Sequence, residues 1–262
     1  MDIQEDLREL GLKPGQGQHF INNEIAVRKY LNQAETKNQT VLEIGPGTGS
    51  ITESIDAEKI YAVEKDTVLA QALKSKEIED VEILNEDFLQ MDIPGDVEYI
   101  LGNLPFQLSS EILEKVAKLQ IPSCFIVQEE LADKAVSSPG ESEFNFFSFK
   151  ISYFFIPVKA GEISKRNYYP EPEVDTAILK LYPEKNRHGV EEEKEFLNFA
   201  KALFTHRRKK VRNSVVDARN LLGKEKDELK NIRDELPNSE SKVYELEVVE
   251  LKEIFEDYRR LV

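Results

Sequence analysis

The sequence predicts an α/β fold: a parallel, doubly wound sheet closed at one edge by an antiparallel hairpin and followed by a small helical domain. Three observations carry this expectation. Five short, β-branched runs are separated by stretches with helical spacing, two further β-rich runs follow without a long helix between them, and the chain becomes helical and densely charged after Pro183. The strand candidates are TVLEIG (40–45), KIYAVE (59–64), VEIL (81–84), VEYILG (97–102) and CFIVQ (124–128), each short and largely apolar, as strands covered on both faces are. Helical spacing over Thr67–Lys76 and Ser109–Leu119 supplies crossovers, and strand–helix alternation is the pattern of a parallel sheet. SYFFIPVKAGEI (152–163) and TAILKLYP (176–183) suit the hairpin at the sheet's edge. EKNRHGVEEE then reads as a linker, which divides the chain into a first domain over 1–183 and a second over 184–262.

Composition narrows the function classes. At 40% hydrophobic and 32% charged residues the chain is expected to be globular rather than disordered. No apolar stretch approaches the roughly 18 residues of a membrane span, and residues 1–20 lack an apolar signal core. Cys124, the single cysteine, excludes an internal disulfide and a cysteine-rich zinc site. A cytoplasmic protein with no membrane partner and no metal is the expectation. The net charge of −15 argues against nucleic acid until its distribution is considered. Residues 183–262 hold 18 acidic and 18 basic side chains, so the 32 acidic and 17 basic residues of 1–182 supply the whole imbalance. That surplus serves solubility or a salt-rich cytoplasm.

Four motifs stand at strand ends, where ligands collect in open α/β sheets. Val41-Leu42-Glu43-Ile44 runs into Gly45-Pro46-Gly47-Thr48-Gly49, a glycine turn whose bare Cα atoms let main-chain N–H groups approach a ligand. Its spacing is G-x-G-x-G, not the G-x-G-x-x-G of a dinucleotide fingerprint. Glu64 follows 19 residues after Gly45, where a carboxylate can hold two ribose hydroxyls; together the two features favour a nucleoside cofactor over a plain turn with a surface acid. Asp87, after the third strand, can accept from an adenine amino group with Phe88 beside the ring. Gly102-Asn103-Leu104-Pro105-Phe106 brings a side-chain carbonyl, a main-chain carbonyl and an aromatic face to one point, which suits a planar amine.

These residues resemble the small-subunit ribosomal RNA adenine dimethyltransferases, the KsgA family with its archaeal and eukaryotic members. The resemblance runs over nearly the whole chain: Gly17-Gln18-His19-Phe20-Ile21, Glu43 to Gly49, Val63-Glu64-Lys65-Asp66, Glu86-Asp87, Asn103 to Phe106, Val127-Gln128-Glu129-Glu130, Tyr169 to Ala177 and Phe204 to Ser214, in family order. It implies a Rossmann-like, S-adenosylmethionine-dependent domain and an enzyme that dimethylates N6 of two adjacent adenosines near the 3′ end of small-subunit (16S) rRNA. The cofactor residues so implied are His19, Ile21, Gly45, Gly47, Glu64, Asp87 and Asn103; the catalytic ones are Asn103, Leu104, Pro105 and Phe106. Two positions depart from the family, His19 where Asn is usual and Phe106 where Tyr is usual. The aromatic run Phe144-Asn145-Phe146-Phe147-Ser148-Phe149 also departs, and is expected to be core rather than an RNA-stacking platform.

The partner implied is small-subunit rRNA in an immature 30S-type particle, bound by a monomer. Arg207, Arg208, Lys209, Lys210 and Arg212 place five basic residues within six positions, expected on a helix of the second domain, from which two or three reach phosphates. In the implied reaction the adenine N6 attacks the methyl group in line, aimed by the Asn103 side-chain oxygen and the Leu104 or Pro105 carbonyl, with Phe106 holding a base taken out of its stack. The rival readings are a 23S rRNA adenine methyltransferase of the macrolide-resistance type and a non-catalytic ribosome-assembly or transcription factor on the same fold. The intact Asn103–Phe106 motif disfavours the second rival.

Overall fold

A computed structural model describes residues 3–15, 17–184 and 193–262, so most of the expected linker lies outside the described residues. The chain divides into two compact units, one built from residues up to 132 with 155–183, the other from 133–154 with 184–262.

In chain order the first unit contains α1 (Ile3–Glu9), β1 (Phe20–Ile21), α2 (Glu24–Leu31), β2 (Thr40–Ile44), β3 (Lys59–Val63), α3 (Thr67–Ser75), β4 (Val81–Leu84), β5 (Tyr99–Asn103), α4 (Ser109–Leu119) and β6 (Ser123–Gln128). The division between the units falls within α5 (Glu129–Val136), and α6 (Phe146–Phe154) belongs to the second. The first unit resumes with β7 (Phe155–Ile163), β8 (Tyr168–Tyr169) and β9 (Thr176–Pro183). Seven strands form one sheet in the order β4-β3-β2-β5-β6-β9-β7, and β1 pairs separately with β8. The five strands from β4 to β6 are parallel, while β9 and β7 add antiparallel at the edge. The chain winds outward from β2 to β4 and then returns to lay β5 against the other side of β2. The ends of β2 and β5 therefore flank the switch point of the sheet, the position at which such folds bind ligands.

Burial explains why these runs are strands. Val41, Leu42, Ile100, Leu101, Phe125 and Ile126 are all fully buried, so both sides of each strand meet protein. One face packs Tyr30, Tyr99, Leu101 and Ile126 with Val27 of α2 and, further along the same face, Ile60, Ala62 and Ile83 against Ala70 and Leu73 of α3. The Asp66 carboxylate caps α3, accepting from the amides of Val68 (2.8 Å) and Leu69 (3.0 Å).

The second unit adds α7 (Glu193–Phe204), α8 (Val211–Asp217), α9 (Arg219–Leu222), α10 (Lys226–Ile232) and α11 (Val248–Leu261). Its centre is aromatic: Phe149 lies 6.0 Å from Phe196 and 5.3 Å from Phe204 between ring centroids, and Phe196 and Phe199 both meet Phe255.

Two expectations change here. The single domain boundary at 184 misses a second contribution, because 133–154 joins the helical unit through α6. Residues 152–154, expected to start the hairpin strand, instead end α6, and the strand begins at Phe155. Phe147, Phe149, Ile151 and Tyr153 alternate with Ser148, Lys150 and Ser152, a period of two that reads as a strand although the segment folds as a helix. The Asn145 side-chain oxygen accepts from the Phe147 amide at 2.8 Å and starts the helix. Phe144 and Phe149 of the aromatic run are buried core, while Phe146 and Phe147 are half-buried. No helix among the described residues is long and apolar enough to cross a membrane.

Candidate functional site

A cleft of about 530 Å³ opens at the ends of β2, β3, β4 and β5 in the first unit. It gathers every cofactor and catalytic candidate: His19, Ile21, Gly45, Gly47, Glu64, Asp87, Asn103, Leu104, Pro105 and Phe106 all line it. The switch point brings together segments far apart in sequence.

The glycine turn forms one wall. Gly45 and Gly47 have φ of +68° and +58°, and a Cβ at Gly47 would stand 2.8 Å from the Phe20 ring. Only glycine lets the loop pass there. Glu64, almost wholly buried at the end of β3, holds this loop: one carboxylate oxygen accepts from the Gly47 amide at 3.0 Å, the other from the Asp66 amide at 2.9 Å. Burial raises its pKa above the ordinary carboxylate value, partly offset by those amides. Each oxygen keeps a second lone pair for a ligand hydroxyl. Lys76 ties the far side of the turn, donating to the Thr48 carbonyl at 2.9 Å.

Asp87 sits on the loop after β4. Its carboxylate accepts from the Leu89 amide at 3.0 Å and pairs with Lys65 at 2.9 Å. The Lys65 ammonium holds the carboxyl below its ordinary pKa, so Asp87 is an acceptor at neutral pH. Sequence reasoning missed Lys115 of α4, which donates to the carbonyls of Phe88 and Met91 and lies over the Phe88 ring at 4.9 Å. It braces the loop that presents Asp87. A lysine on a helix carries no signal of that task in sequence; only the approach of α4 to the loop reveals it.

The third wall is the end of β5. Asn103 donates through Nδ2 to the His19 carbonyl at 2.8 Å, and its Oδ1 is buried with no hydrogen-bond donor. The main-chain carbonyls of the motif differ. Pro105 already accepts from the Leu108 amide (2.9 Å) and the Ser109 hydroxyl (3.0 Å), whereas no donor among the described residues reaches the Leu104 carbonyl. Leu104, not Pro105, is therefore the open main-chain acceptor. Phe106 turns its ring to His19 at 4.9 Å between centroids. An unpartnered buried amide oxygen is costly unless a ligand donor completes it. A ligand amine bearing two N–H groups, with a π face to stack, meets these requirements. The Gly47 cradle and the Glu64 carboxylate fit the ribose end of a nucleoside.

The strand motif also holds a buried, unpartnered acid. Glu43 is fully buried in β2, neither of its oxygens has a hydrogen-bond partner, and burial pushes its pKa up to about 8, with the Glu64 charge adding to the effect. Beside it the Tyr30 hydroxyl accepts from the Gly102 amide at 2.9 Å and donates to the Cys124 carbonyl at 2.6 Å, locking β5 to β6.

The basic run belongs to the second unit and is not helical. Residues 205–210 form the turn between α7 and α8, and only Arg212 of the five lies in a helix. The Pro-free run changes course because the Lys209 and Arg207 carbonyls accept from the Val243 (3.1 Å) and Tyr244 (3.0 Å) amides, pairing the turn with 242–244. Most of its charge is used internally. Arg207 donates to the Ser142 and Phe144 carbonyls, Lys209 pairs with Asp217 at 2.7 Å, Lys210 with Glu240 at 2.5 Å, and Arg212 with Glu240 and Asp234. Arg208 is exposed, with no partner among the described residues.

The chain is similar to known proteins over most of its length. The ribosomal RNA adenine dimethylase family model matches residues 11–251. A protein of Thermococcus sibiricus named probable ribosomal RNA small subunit methyltransferase A is 30% identical, over 97% of this chain and 95% of its own. One of the same name from Methanosarcina mazei is 34% identical, over 84% of this chain and 83% of its own. Among solved structures, a dimethyladenosine transferase from Plasmodium falciparum superposes with a TM-score of 0.80 at 19% identity, covering 92% of this chain and 98% of that one. The 23S rRNA methyltransferase ErmE gives 0.69 at 20% identity, covering 91% and 98%; at these identities the likeness shows a shared fold. With the family model covering nearly the whole chain and relatives at 30% identity or more, this protein belongs to the ribosomal RNA adenine dimethylase family.

Proposed function

We propose that this protein uses S-adenosylmethionine to dimethylate N6 of two adjacent adenosines near the 3′ end of small-subunit (16S) rRNA, acting in the cytoplasm as a monomer on an immature 30S-type subunit. The observation that carries the reading is the end of β5, where a buried, donorless Asn103 Oδ1, the open Leu104 carbonyl and the Phe106 ring border one cleft. Family membership and the names of the archaeal relatives support the substrate.

The cofactor supplies a methyl group activated on a sulfonium. Gly45 and Gly47 would let it approach the loop main chain beside Ile21, Glu64 would accept from its ribose hydroxyls and Asp87 from its adenine amino group. Asn103 and Leu104 accept the two N–H groups of the target N6, which turns its lone pair out of conjugation and toward the methyl. Phe106 holds the base after it leaves its stack. Positioning of this kind supplies up to about 7–11 kcal/mol. The methylated amine is cationic and acidic and releases its proton to water, so no dedicated base is required. After one transfer a single N–H remains for two acceptors, and the Phe106 face then carries more of the orientation. Arg208 is the unpaired cation of the basic turn and the first candidate for a phosphate contact.

The test is to incubate the protein with methyl-labelled S-adenosylmethionine and immature small or large subunits, then map the modified base. Two adjacent dimethyladenosines in the small subunit are expected. Label in a large-subunit adenine instead supports the macrolide-resistance type of activity, and tight subunit binding with no transfer supports an assembly factor.

A further inference from the structure

Three contacts converge on His19, just before β1. Its ring Nδ1 is 2.8 Å from the Pro170 carbonyl. A carbonyl only accepts, so Nδ1 carries the proton and the ring is held by a donated hydrogen bond. The ring lies 4.9 Å from Phe106 between centroids, with the planes 34° apart. Its main-chain carbonyl accepts Asn103 Nδ2 at 2.8 Å, and that bond sets which way the amide faces, leaving Oδ1 as the buried oxygen without a donor. The pairing of Phe20 with Tyr169 and Ile21 with Tyr168 continues into these contacts and fixes residue 19 from behind.

We propose that His19 is a positioning residue for methyl transfer, setting the tilt of Phe106 through its ring and the direction of Asn103 Oδ1 through its carbonyl. This rests on the reading given under Proposed function. A phenyl ring on a loop has no polar atom to fix its rotation, so its orientation comes from the face packed against it. Here that face is an imidazole anchored on Pro170. A base stacked on Phe106 inherits the tilt, and the line from N6 to the methyl group changes with it; in-line transfer is sensitive to such changes. The two roles separate cleanly, because any residue at position 19 keeps the carbonyl while only a ring keeps the stack.

The experiment is a double-mutant cycle on methyl transfer to small subunits, with cofactor affinity measured on the same proteins by calorimetry. His19→Ala is expected to lower kcat by about two- to tenfold, the scale of an aromatic pair, and to leave cofactor affinity within about twofold. His19→Phe, which restores a ring without the Pro170 bond, should recover most of the loss. In a Phe106→Ala background His19→Ala should cost nothing further. Para-fluorophenylalanine placed at 106 gives a readout independent of turnover: its fluorine resonance should shift in His19→Ala. Loss of cofactor affinity with unchanged kcat overturns the inference in favour of a cofactor contact; multiplying losses, or an unmoved fluorine signal, overturn it in favour of a residue independent of Phe106. Wild-type protein that transfers no methyl to small subunits overturns the proposed function itself, a result distinct from an active enzyme with an additive cycle.

Discussion

Asn103 concentrates the chemistry of the cleft in one side chain. Its amide is oriented by one bond and left open at the other end, so Asn103→Ala should lower methyl transfer by about 10²–10³-fold, the usual effect of deleting a preorganised polar partner. RNA binding should be unchanged; full single-turnover activity on immature subunits would remove Asn103 from the mechanism. Glu64→Ala and Asp87→Ala should each weaken cofactor binding by about ten- to hundredfold, as for hydrogen bonds to a charged acceptor. Calorimetry on both variants is the check, with circular dichroism to verify folding, because Glu64 also holds the Gly47 loop. Glu43 makes a different prediction. Its folded carboxyl keeps its proton up to about pH 8, while the unfolded one releases it near 4.5. The folded state binds the extra proton in that window, so this contribution to stability is present below the window and lost as pH rises through it, by up to about 1.4 kcal/mol per pH unit. Glu43→Gln should therefore show a shallower decline of thermal midpoint from about pH 5 to about pH 8 than the wild type does. Parallel profiles would mean that Glu43 is not the group that titrates.

At the scale of elements, β2 and β5 approach each other through a position with no side chain. A Cβ on Gly102 would stand 2.4 Å from the Ile44 carbonyl oxygen, a contact with main chain that no rotamer can relieve. Gly102→Ala should cost about 1–3 kcal/mol in denaturant titration and also weaken cofactor binding, since Gly45 and Asn103 begin where these strands end. A variant as stable as the wild type would show that the strands part easily. The strands themselves were legible because buried parallel strands are short, apolar and β-branched. The helix Phe146–Phe154 was not, because Phe147, Phe149, Ile151 and Tyr153 alternate with Ser148, Lys150 and Ser152, a strand-like period that packing in the helical unit overrides. Nor was the turn at 205–210: basic residues have good helix propensity, and what breaks the helix is main-chain pairing with 242–244, more than thirty residues away.

For the molecule as a whole, charge is divided between the two parts of the sequence, with the surplus acid confined to residues 1–182. The balanced remainder uses most of its basic run to hold itself together. Arg207→Ala should therefore destabilise the helical unit, because its guanidinium joins the Ser142 and Phe144 carbonyls to the turn. Arg208→Ala should leave stability unchanged and weaken subunit binding, with the salt dependence flattened by about 0.7–0.9 log units for one lost phosphate contact. Filter binding across a salt series separates the two. Equal salt slopes in wild type and Arg208→Ala would place the RNA surface elsewhere.

The sequence by itself determined the sheet, the strand ends that carry the glycine turn, Glu64, Asp87 and Asn103, and the family, because each of these depends on local pattern and order along the chain. Tertiary structure alone decided what each side chain is free to do. It left Asn103 Oδ1 and the Leu104 carbonyl open while closing Pro105, put His19 against Phe106, moved 133–154 into the helical unit and took four of the five basic residues into internal contacts. Hydrogen-bond capacity is finite, and which partner uses it is settled by neighbours distant in sequence.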